Sequence, residues 1–338
     1  MQKKKIAVFI GGRANWGRLR SVCEAIDRSE EFELLVILGA SGVSLDVPYP
    51  CERIECLLAN DTTQAMSLTA SLLLSQISAV LERTAPLCVL VHGDRYEVLA
   101  VAIAAAYQNI LLAHTEGGED TGTIDDKVRY AITALADIHF AVTEKACERL
   151  SSLATKVYRV GSTSLDQFKD MDLSYDGEPY ILVLQHPDTM CPEPLTPIIE
   201  AVKQIPMHKI WVNPNVDAGN KEMLKKIHEL ADDKDNDVEF VKNLSPQDYY
   251  RLLANARCCV GNSSSFIKEG AFLGTPVVLV GGRQQNREIG KNVFRVPNIR
   301  EYILDAIYAQ LTNGKFKPDY IFGDGTASQK IVEILCTL

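Results

Sequence analysis

The sequence predicts an α/β protein built from two Rossmann-like domains, each a doubly wound parallel sheet. Three observations carry this. Short apolar runs alternate with longer helical patterns along the whole chain, the pattern of strands joined by crossover helices. The runs are continuously apolar rather than alternating, so both faces of each sheet are expected to be covered. Two series of such runs, similar in length, meet at DQFKDMDLSYDGEPY, residues 166–180.

The first series places strands at 5–11, 33–40, 87–92, 109–114, 138–143 and 157–161. The second places them at 180–185, 209–213, 238–241, 257–261, 276–281 and 292–296. Helical spacing falls between them, for example at 62–83, 95–108, 125–136, 246–255 and 265–273. The opening MQKKKIAVFIGGR has charges before apolar residues, like a short signal peptide. Its apolar part is only Ile6 to Ile10 and runs into Gly-Gly-Arg without a cleavage-like site, so it reads as a first strand. The stretch 166–180 is acidic, poor in aliphatic residues and contains glycine and proline. Domains are therefore expected at 1–168 and 178–322. A last helix within 323–338 is free to pack on either, with a return to the N-terminal domain as the expectation. Two such domains facing one another make a cleft, and ligands bind at the carboxyl ends of such strands.

Composition narrows the function classes. A chain of 338 residues with 46% hydrophobic and 23% charged residues is an ordinary globular protein with a sizeable core. A net charge of −9 argues against a nucleic-acid-binding surface. No unbroken apolar run approaches the ~20 residues that span a bilayer, so no membrane partner is expected. The nine cysteines form no Cys-x-x-Cys pair, and Cys88, Cys258 and Cys259 lie inside apolar runs. That pattern suits reduced, buried thiols in a cytoplasmic protein rather than zinc or a disulfide framework.

Five polar clusters fall at the ends of expected strands. GGRANWGR, 11–18, has Arg18 and Leu19 where a P-loop needs Lys and Ser or Thr, and it lacks Gly-x-Gly-x-x-Gly. What remains is a glycine turn into a helix, with Arg13 either solvated or reaching an anion. In VHGDRYE, 91–97, Asp94 suits a helix cap, while Arg95 beside it suits a phosphate contact next to an acid or base. HTEGGEDTGTIDDKVR, 114–129, puts Glu116 at a strand exit with Gly117 and Gly118 open to a ligand, and Asp125 where a helix begins. Glu119 and Asp120 read as solvated loop acids, and a metal site is disfavoured because His114 falls within the strand. In LQHPDT, 184–189, His186 is either packed or placed for acid–base or phosphate contact. GNSSSFIKEG, 261–270, brings hydroxyls and free N–H groups to a helix N-terminus, where Ser263 and Ser264 could cradle phosphate and Glu269 could bind ribose hydroxyls. GGRQQNRE, 281–288, adds Arg283 at the end of the next strand.

Read together, these residues resemble the UDP-N-acetylglucosamine 2-epimerases, in particular their hydrolysing branch. The resemblance runs through GGRANWGRL, HGDR, HTEGGEDTGTIDDKVRYAI, LQHPDT, NPNVDAGNKEM, GNSSSFIKEGAFLGTPVVLVGGRQQNRE and FGDGTA, in the family's order. The non-hydrolysing branch resembles HxEAGLRT followed by a Pro-Glu-Glu segment, whereas this chain has Glu-Gly-Gly-Glu and GTIDD. The resemblance implies a GT-B-like fold with the substrate in the cleft, usually as homodimers or homotetramers. It implies Asp94, Glu116 and Asp125 as catalytic acids. It implies Arg13, Arg95, His186, Asn215, Ser263, Ser264, Glu269 and Arg283 as contacts to a nucleotide diphosphate. The chain departs at Asn15-Trp16-Gly17, where many relatives read Asp-Tyr followed by Gly or Ser.

The implied reaction takes a UDP-sugar and water to UDP and N-acetylmannosamine, with no cofactor and no metal. UDP is eliminated to give a 2-acetamidoglucal, and water then adds with inversion at C2. Inversion calls for acid–base groups on both ring faces, at least one of them with a raised pKa. A diacetylbacillosamine-type substrate, linked to UDP or GDP, is the alternative. A GT-B glycosyltransferase and a non-catalytic nucleotide-sugar sensor are the readings from other classes; the full set of three carboxylates weighs against a sensor.

Overall fold

In the computed structural model, residues 3–58, 62–121, 125–154, 156–187, 192–214, 220–242 and 244–338 are described. The chain divides into two units, one of Met1–Asp120, Ile124–Lys169 and Gly323–Leu338, the other chiefly Asp170–Phe322.

The first unit runs β1 (Lys4–Ile10), α1 (Arg13–Arg28), β2 (Phe32–Gly39), β3 (Cys51–Ile54), α2 (Thr63–Thr84), β4 (Cys88–His92) and α3 (Tyr96–Tyr107). It continues with β5 (Leu111–Thr115), α4 (Asp125–Leu135), β6 (Ile138–Ala141), α5 (Glu144–Ser151) and β7 (Val157–Arg159). Its seven strands lie in the order β3-β2-β1-β4-β5-β6-β7, every pair parallel. Ile6, Val8 and Ile10 point to one face and Ala7 and Phe9 to the other, and all five are buried, which is why the strands read as unbroken apolar runs.

The second unit runs β8 (Tyr180–Leu184), α6 (Thr196–Lys203), β9 (His208–Val212), α7 (Asn220–Asp232), β10 (Val238–Val241) and α8 (Pro246–Asn255). It ends with β11 (Cys258–Gly261), α9 (Ser264–Leu273), β12 (Val277–Val280), β13 (Val293–Val296) and α10 (Arg300–Asn313). Its six strands follow the order β10-β9-β8-β11-β12-β13, again all parallel. The last helix, α11 (Ala327–Leu335), packs in the first unit, where Ala327, Ile331 and Leu335 join Leu19, Val22 and Ile26 of α1 in one apolar cluster. Both carboxylate oxygens of Asp166 accept from its first turn, from Ala327 N at 2.9 Å and Ser328 N at 2.6 Å.

Two details differ from the sequence reading. β3 went unread, because its four residues Cys-Glu-Arg-Ile form an edge strand in which only Ile54 is buried. The α2 segment Gln64–Thr84 is long and apolar enough, by length and composition, to cross a membrane, with mean hydropathy 1.3. Scattered Ser, Thr and Gln residues hide this from a search for unbroken apolar runs. Leu73, Ile77 and Leu81 place the helix in the core of the first unit, where all three are fully buried.

Each sheet reverses its direction of growth once, between β1 and β4 in the first and between β8 and β11 in the second. The carboxyl ends flanking such a reversal are where open α/β sheets bind ligands. The loops there are Gly11-Gly12 and Gly93-Asp94 in one unit, and Gln185-His186 and Asn262-Ser263 in the other.

Candidate active site

The first unit gathers its acids at that edge. β4 and β5 are paired with His92 opposite Thr115, so Asp94 and Glu116 leave neighbouring strands one or two residues beyond the pairing. Glu116 adopts φ 62°, a left-handed conformation costing on the order of 1 kcal/mol in a residue with a Cβ. Its N–H donates to Phe140 O at 3.1 Å, and three side chains converge on its carboxylate. Arg18 Nη1 donates to Oε1 at 3.2 Å, Ser162 Oγ to the same oxygen at 3.0 Å, and His92 Nε2 lies 3.7 Å from Oε2. His92 Nδ1 is hydrogen-bonded to Thr115 Oγ1 at 2.8 Å, and that hydroxyl also lies 3.3 Å from Val91 O. The imidazole orientation follows from that bond.

Asp94 is not a helix cap. The N-cap of α3 is Arg95, without a side-chain cap bond, and the Asp94 carboxylate accepts instead from Arg129 Nη2. Arg129 is 2% exposed, pairs also with Asp126 one helical turn earlier, and donates to Glu119 O at 3.0 Å. Burial works against its charge, but Asp94, Glu119 and Asp126 outweigh it and hold the guanidinium protonated. Asp125 opens α4 beside this group. Its carboxyl is pushed up, first by desolvation and then by the charge of Asp94, with Arg129 and Arg95 pulling the other way. Glu119 is not a solvated loop acid: it is 8% exposed, because the loop folds inward around Gly118, where a Cβ would strike Ala146 O at 2.6 Å.

Arg13 is exposed at the start of α1, and Arg95 is more than half exposed, its Nε donating to Glu97 Oε1 at 2.6 Å. Glu97 is buried against Gly11, where an added Cβ would meet its Cγ at 2.7 Å. Burial raises the Glu97 carboxyl against the pull of Arg95. Asn15 Nδ2 donates to His92 O at 3.5 Å, while Trp16 turns away to pack edge-on against Tyr49. Of the divergent Asn15-Trp16-Gly17 segment, then, Asn15 reaches the β4 loop. Among the described residues, no three His, Cys, Asp or Glu side chains converge as a metal site.

His114 underlies the same loop. It is fully buried, its Nε2 donates to Gly93 O at 2.7 Å, and burial lowers its pKa from 6.5 to about 3. The neighbouring His139 is lowered by the same cause. A histidine whose folded pKa is depressed contributes stability that is fully present above its unfolded pKa near 6.5. That contribution is lost as pH falls from there toward the folded value, at about 1.4 kcal/mol per pH unit. His114 is therefore expected to cost about 2 kcal/mol between pH 7 and pH 5. Glu97, Asp125 and Asp166, whose carboxyls are raised, act in the opposite sense. The difference between wild type and His114→Gln isolates the histidine: urea midpoints should fall more steeply with acidification in wild type, and parallel profiles would contradict this.

In the second unit, β11 ends at Gly261, whose φ of 143° and close approach to Leu184 O leave no room for a Cβ. Asn262 ties the two switch-point loops together, accepting from His186 N at 2.7 Å and donating to His186 O at 2.9 Å. Ser263 is the N-cap residue of α9 but makes no cap bond; its Oγ lies 2.9 Å from Ser265 Oγ, which also meets Tyr249 Oη. Capping does not account for the serines. His186 is buried, and burial followed by the Arg283 charge lowers its pKa to about 4, so the ring is neutral at neutral pH. Glu269 is 1% exposed, and its Oε2 has no hydrogen-bond partner. Asn215 lies outside the described residues.

The expected site residues thus fall into two sets: Arg13, Asp94, Arg95, Glu116 and Asp125 in the first unit, and His186, Ser263, Ser264, Glu269 and Arg283 in the second. Sequence reasoning missed Arg129 as a partner of Asp94, Ser162 as a partner of Glu116, and Glu97 as a partner of Arg95. Only the Asp126–Arg129 spacing of three on a helix was readable.

Similar parallel two-sheet architecture occurs in the crystal structure of the Neisseria meningitidis UDP-GlcNAc 2-epimerase bound to UDP-GlcNAc. The TM-score is 0.80 at 21% identity, covering 99% of this chain and 100% of that one. The fold is therefore GT-B-like, of the class whose members pair two Rossmann-like units. The chain belongs to the UDP-N-acetylglucosamine 2-epimerase family, whose model matches residues 25–336. It is 31% identical to the Legionella pneumophila UDP-N,N'-diacetylbacillosamine 2-epimerase (hydrolyzing), over 99% of this chain and 96% of the relative. It is 29% identical to a Neisseria meningitidis UDP-N-acetylglucosamine 2-epimerase, over 98% and 95%.

Proposed function

We propose that the protein is a hydrolysing nucleotide-sugar 2-epimerase. Its substrate is UDP-N-acetylglucosamine, and its products are UDP and N-acetylmannosamine. The observation that carries the reading is the carboxylate set of the first unit, three acids held in three different environments. A base removes the C2 proton while the C1–O bond breaks and UDP leaves with the electron pair, giving the 2-acetamidoglucal. Water then supplies hydroxide to C1, and a proton is delivered to C2 from the opposite face. Glu116, oriented by Arg18 and Ser162, suits an acceptor held in one direction. Asp125, its carboxyl pushed up by desolvation and by the charge of Asp94, suits the group that hands a proton to C2. Asp94, paired with Arg129, completes the set.

The second unit supplies the nucleotide site. Backbone N–H groups and serine hydroxyls not used for capping at the start of α9, with Arg283 nearby, suit a diphosphate, and the unpartnered Oε2 of Glu269 suits a ribose hydroxyl. No metal or nicotinamide enters the scheme. The free state of all eight described cysteines suits a cytoplasmic enzyme.

The Legionella relative favours a second reading of the sugar, a UDP-linked diacetamido-trideoxy sugar of the diacetylbacillosamine type. One experiment addresses both. UDP-N-acetylglucosamine and UDP-diacetylbacillosamine are incubated separately with the enzyme in heavy water, and the released sugar is read by proton NMR. The true substrate gives a C2-inverted free sugar with deuterium at C2. Release of a sugar that keeps its original C2 hydrogen sinks the epimerase reading in favour of simple hydrolysis or glycosyl transfer.

A further inference from the structure

The serines at the start of α9 are joined to a side chain that the nucleotide reading does not use. Ser245 caps α8, its Oγ accepting from Asp248 N at 3.1 Å, and Pro246 opens the first turn. Tyr249 closes that turn, its N–H donating to Ser245 O at 3.0 Å, so a capped helix start rather than a loop fixes its place. The residue is partly buried, with its phenol end turned inward onto Ser265 Oγ. Ser265 Oγ lies in turn 2.9 Å from Ser263 Oγ. Ser263 makes no cap bond, and among the described residues its hydroxyl has no other partner. Three hydroxyls thus form a row that starts inside the second unit and ends at the α9 N-terminus. Glu269, one helical turn beyond Ser265, lies close enough for its charge to act on the Tyr249 hydroxyl.

The row has a direction, because each hydroxyl has one proton to give. Among the described residues Ser265 is the only partner of the Tyr249 hydroxyl, and burial raises that hydroxyl's pKa, so it keeps its proton. Donation from Ser263 to Ser265 to Tyr249 would leave the phenol proton buried without an acceptor, the costly arrangement for a polar group. Donation from Tyr249 to Ser265 to Ser263 satisfies both inner groups. It leaves the Ser263 proton at the α9 N-terminus, beside the backbone N–H groups of the first turn. We propose that Tyr249 is a positioning residue which, through Ser265, holds Ser263 as a hydrogen-bond donor to the ligand's diphosphate. The proposal rests on reading the α9 N-terminus as the nucleotide site. The diphosphate of a nucleotide sugar offers acceptors only, and a Ser263 turned the other way would meet it lone pair to lone pair.

The test is calorimetry of UDP binding to the full chain, with Ser263→Ala, Tyr249→Phe, Ser265→Ala and the double variant Tyr249→Phe/Ser263→Ala alongside. Ser263→Ala should weaken UDP about 10–100-fold, the loss of a hydrogen bond to a charged group. Tyr249→Phe deletes one oxygen and keeps the ring. It should weaken UDP about 3–10-fold, because Ser265 then competes with the ligand for the Ser263 proton. Ser265→Ala, which breaks the row in the middle, should have an effect of the same size. In the Ser263→Ala background Tyr249→Phe should change UDP affinity less than about twofold, since the group it acts through is gone. Packing damage at Tyr249 would cost the same in either background, so the cycle separates positioning from structure. A wild type that does not bind UDP overturns the nucleotide-site reading and this inference with it. If wild type binds UDP, three results overturn this inference alone: a Tyr249→Phe chain of wild-type affinity, a Ser263→Ala chain of wild-type affinity, or an equal loss from Tyr249→Phe with and without Ser263.

Discussion

Glu116→Gln, Asp94→Asn and Asp125→Asn are each expected to lower kcat by about 10²–10⁴-fold, the range for removal of a positioned acid or base. UDP affinity, read by calorimetry, should change less than about threefold, because none of the three acids is among the groups assigned to the nucleotide, most of which belong to the second unit. The rate losses correspond to roughly 3–5 kcal/mol of barrier. At Glu116 structural damage is a smaller effect. Glu116 bonds to Arg18 at a partly exposed site, and losing one charge-assisted bond there costs about 1–2 kcal/mol of stability. A variant that melts within a few degrees of wild type yet loses three decades of rate separates chemistry from folding. Asp125→Asn carries the most information, since its raised carboxyl fits a proton carrier and the amide cannot carry one. If all three variants keep wild-type turnover, the carboxylate mechanism is wrong even should UDP still bind.

The fold was legible because parallel strands covered on both faces become unbroken apolar runs, as in Ile6 to Ile10 and Cys258 to Val260. β3 was not, since an edge strand with one buried side chain leaves no such run. The site was legible as positions but not as partnerships. Asp94 immediately before a helix reads as a cap, and nothing local reveals that its partner is Arg129, thirty-five residues on. Ser162 reaches Glu116 across forty-six residues from a segment, Val-Gly-Ser-Thr-Ser, without a recognisable signature. Glu119 misled for a physical reason: acids beside glycines are usually solvated, but here Gly118 lets the chain turn inward under α5. Long-range pairing of charges is set by topology, which pattern reading supplies only coarsely.

Arg129→Met tests the most consequential of those hidden partnerships. The methionine matches the stem of the arginine but removes the cation from a 2% exposed position. Asp94 and Asp126, only partly exposed, are left facing each other, and the Glu119 carbonyl loses its donor. Breaking a buried pair by deleting one partner costs about 3–5 kcal/mol. Because water reaches both carboxylates, about 3 kcal/mol is the expectation, a fall in Tm of roughly 6–12 °C. Adding Asp126→Asn to Arg129→Met should restore part of the loss by removing one of the opposed charges. In the wild-type background the same Asp126→Asn should destabilise, so the cycle has a sign that simple packing damage lacks. Arg129→Lys should recover less than half, since an ammonium cannot present two planar N–H groups to carboxylates on different elements. Activity should vanish in Arg129→Met even below its melting temperature, because Asp94 loses the group that orients it. An Arg129→Met enzyme as stable and as active as wild type would mean that Asp94 is held by something else.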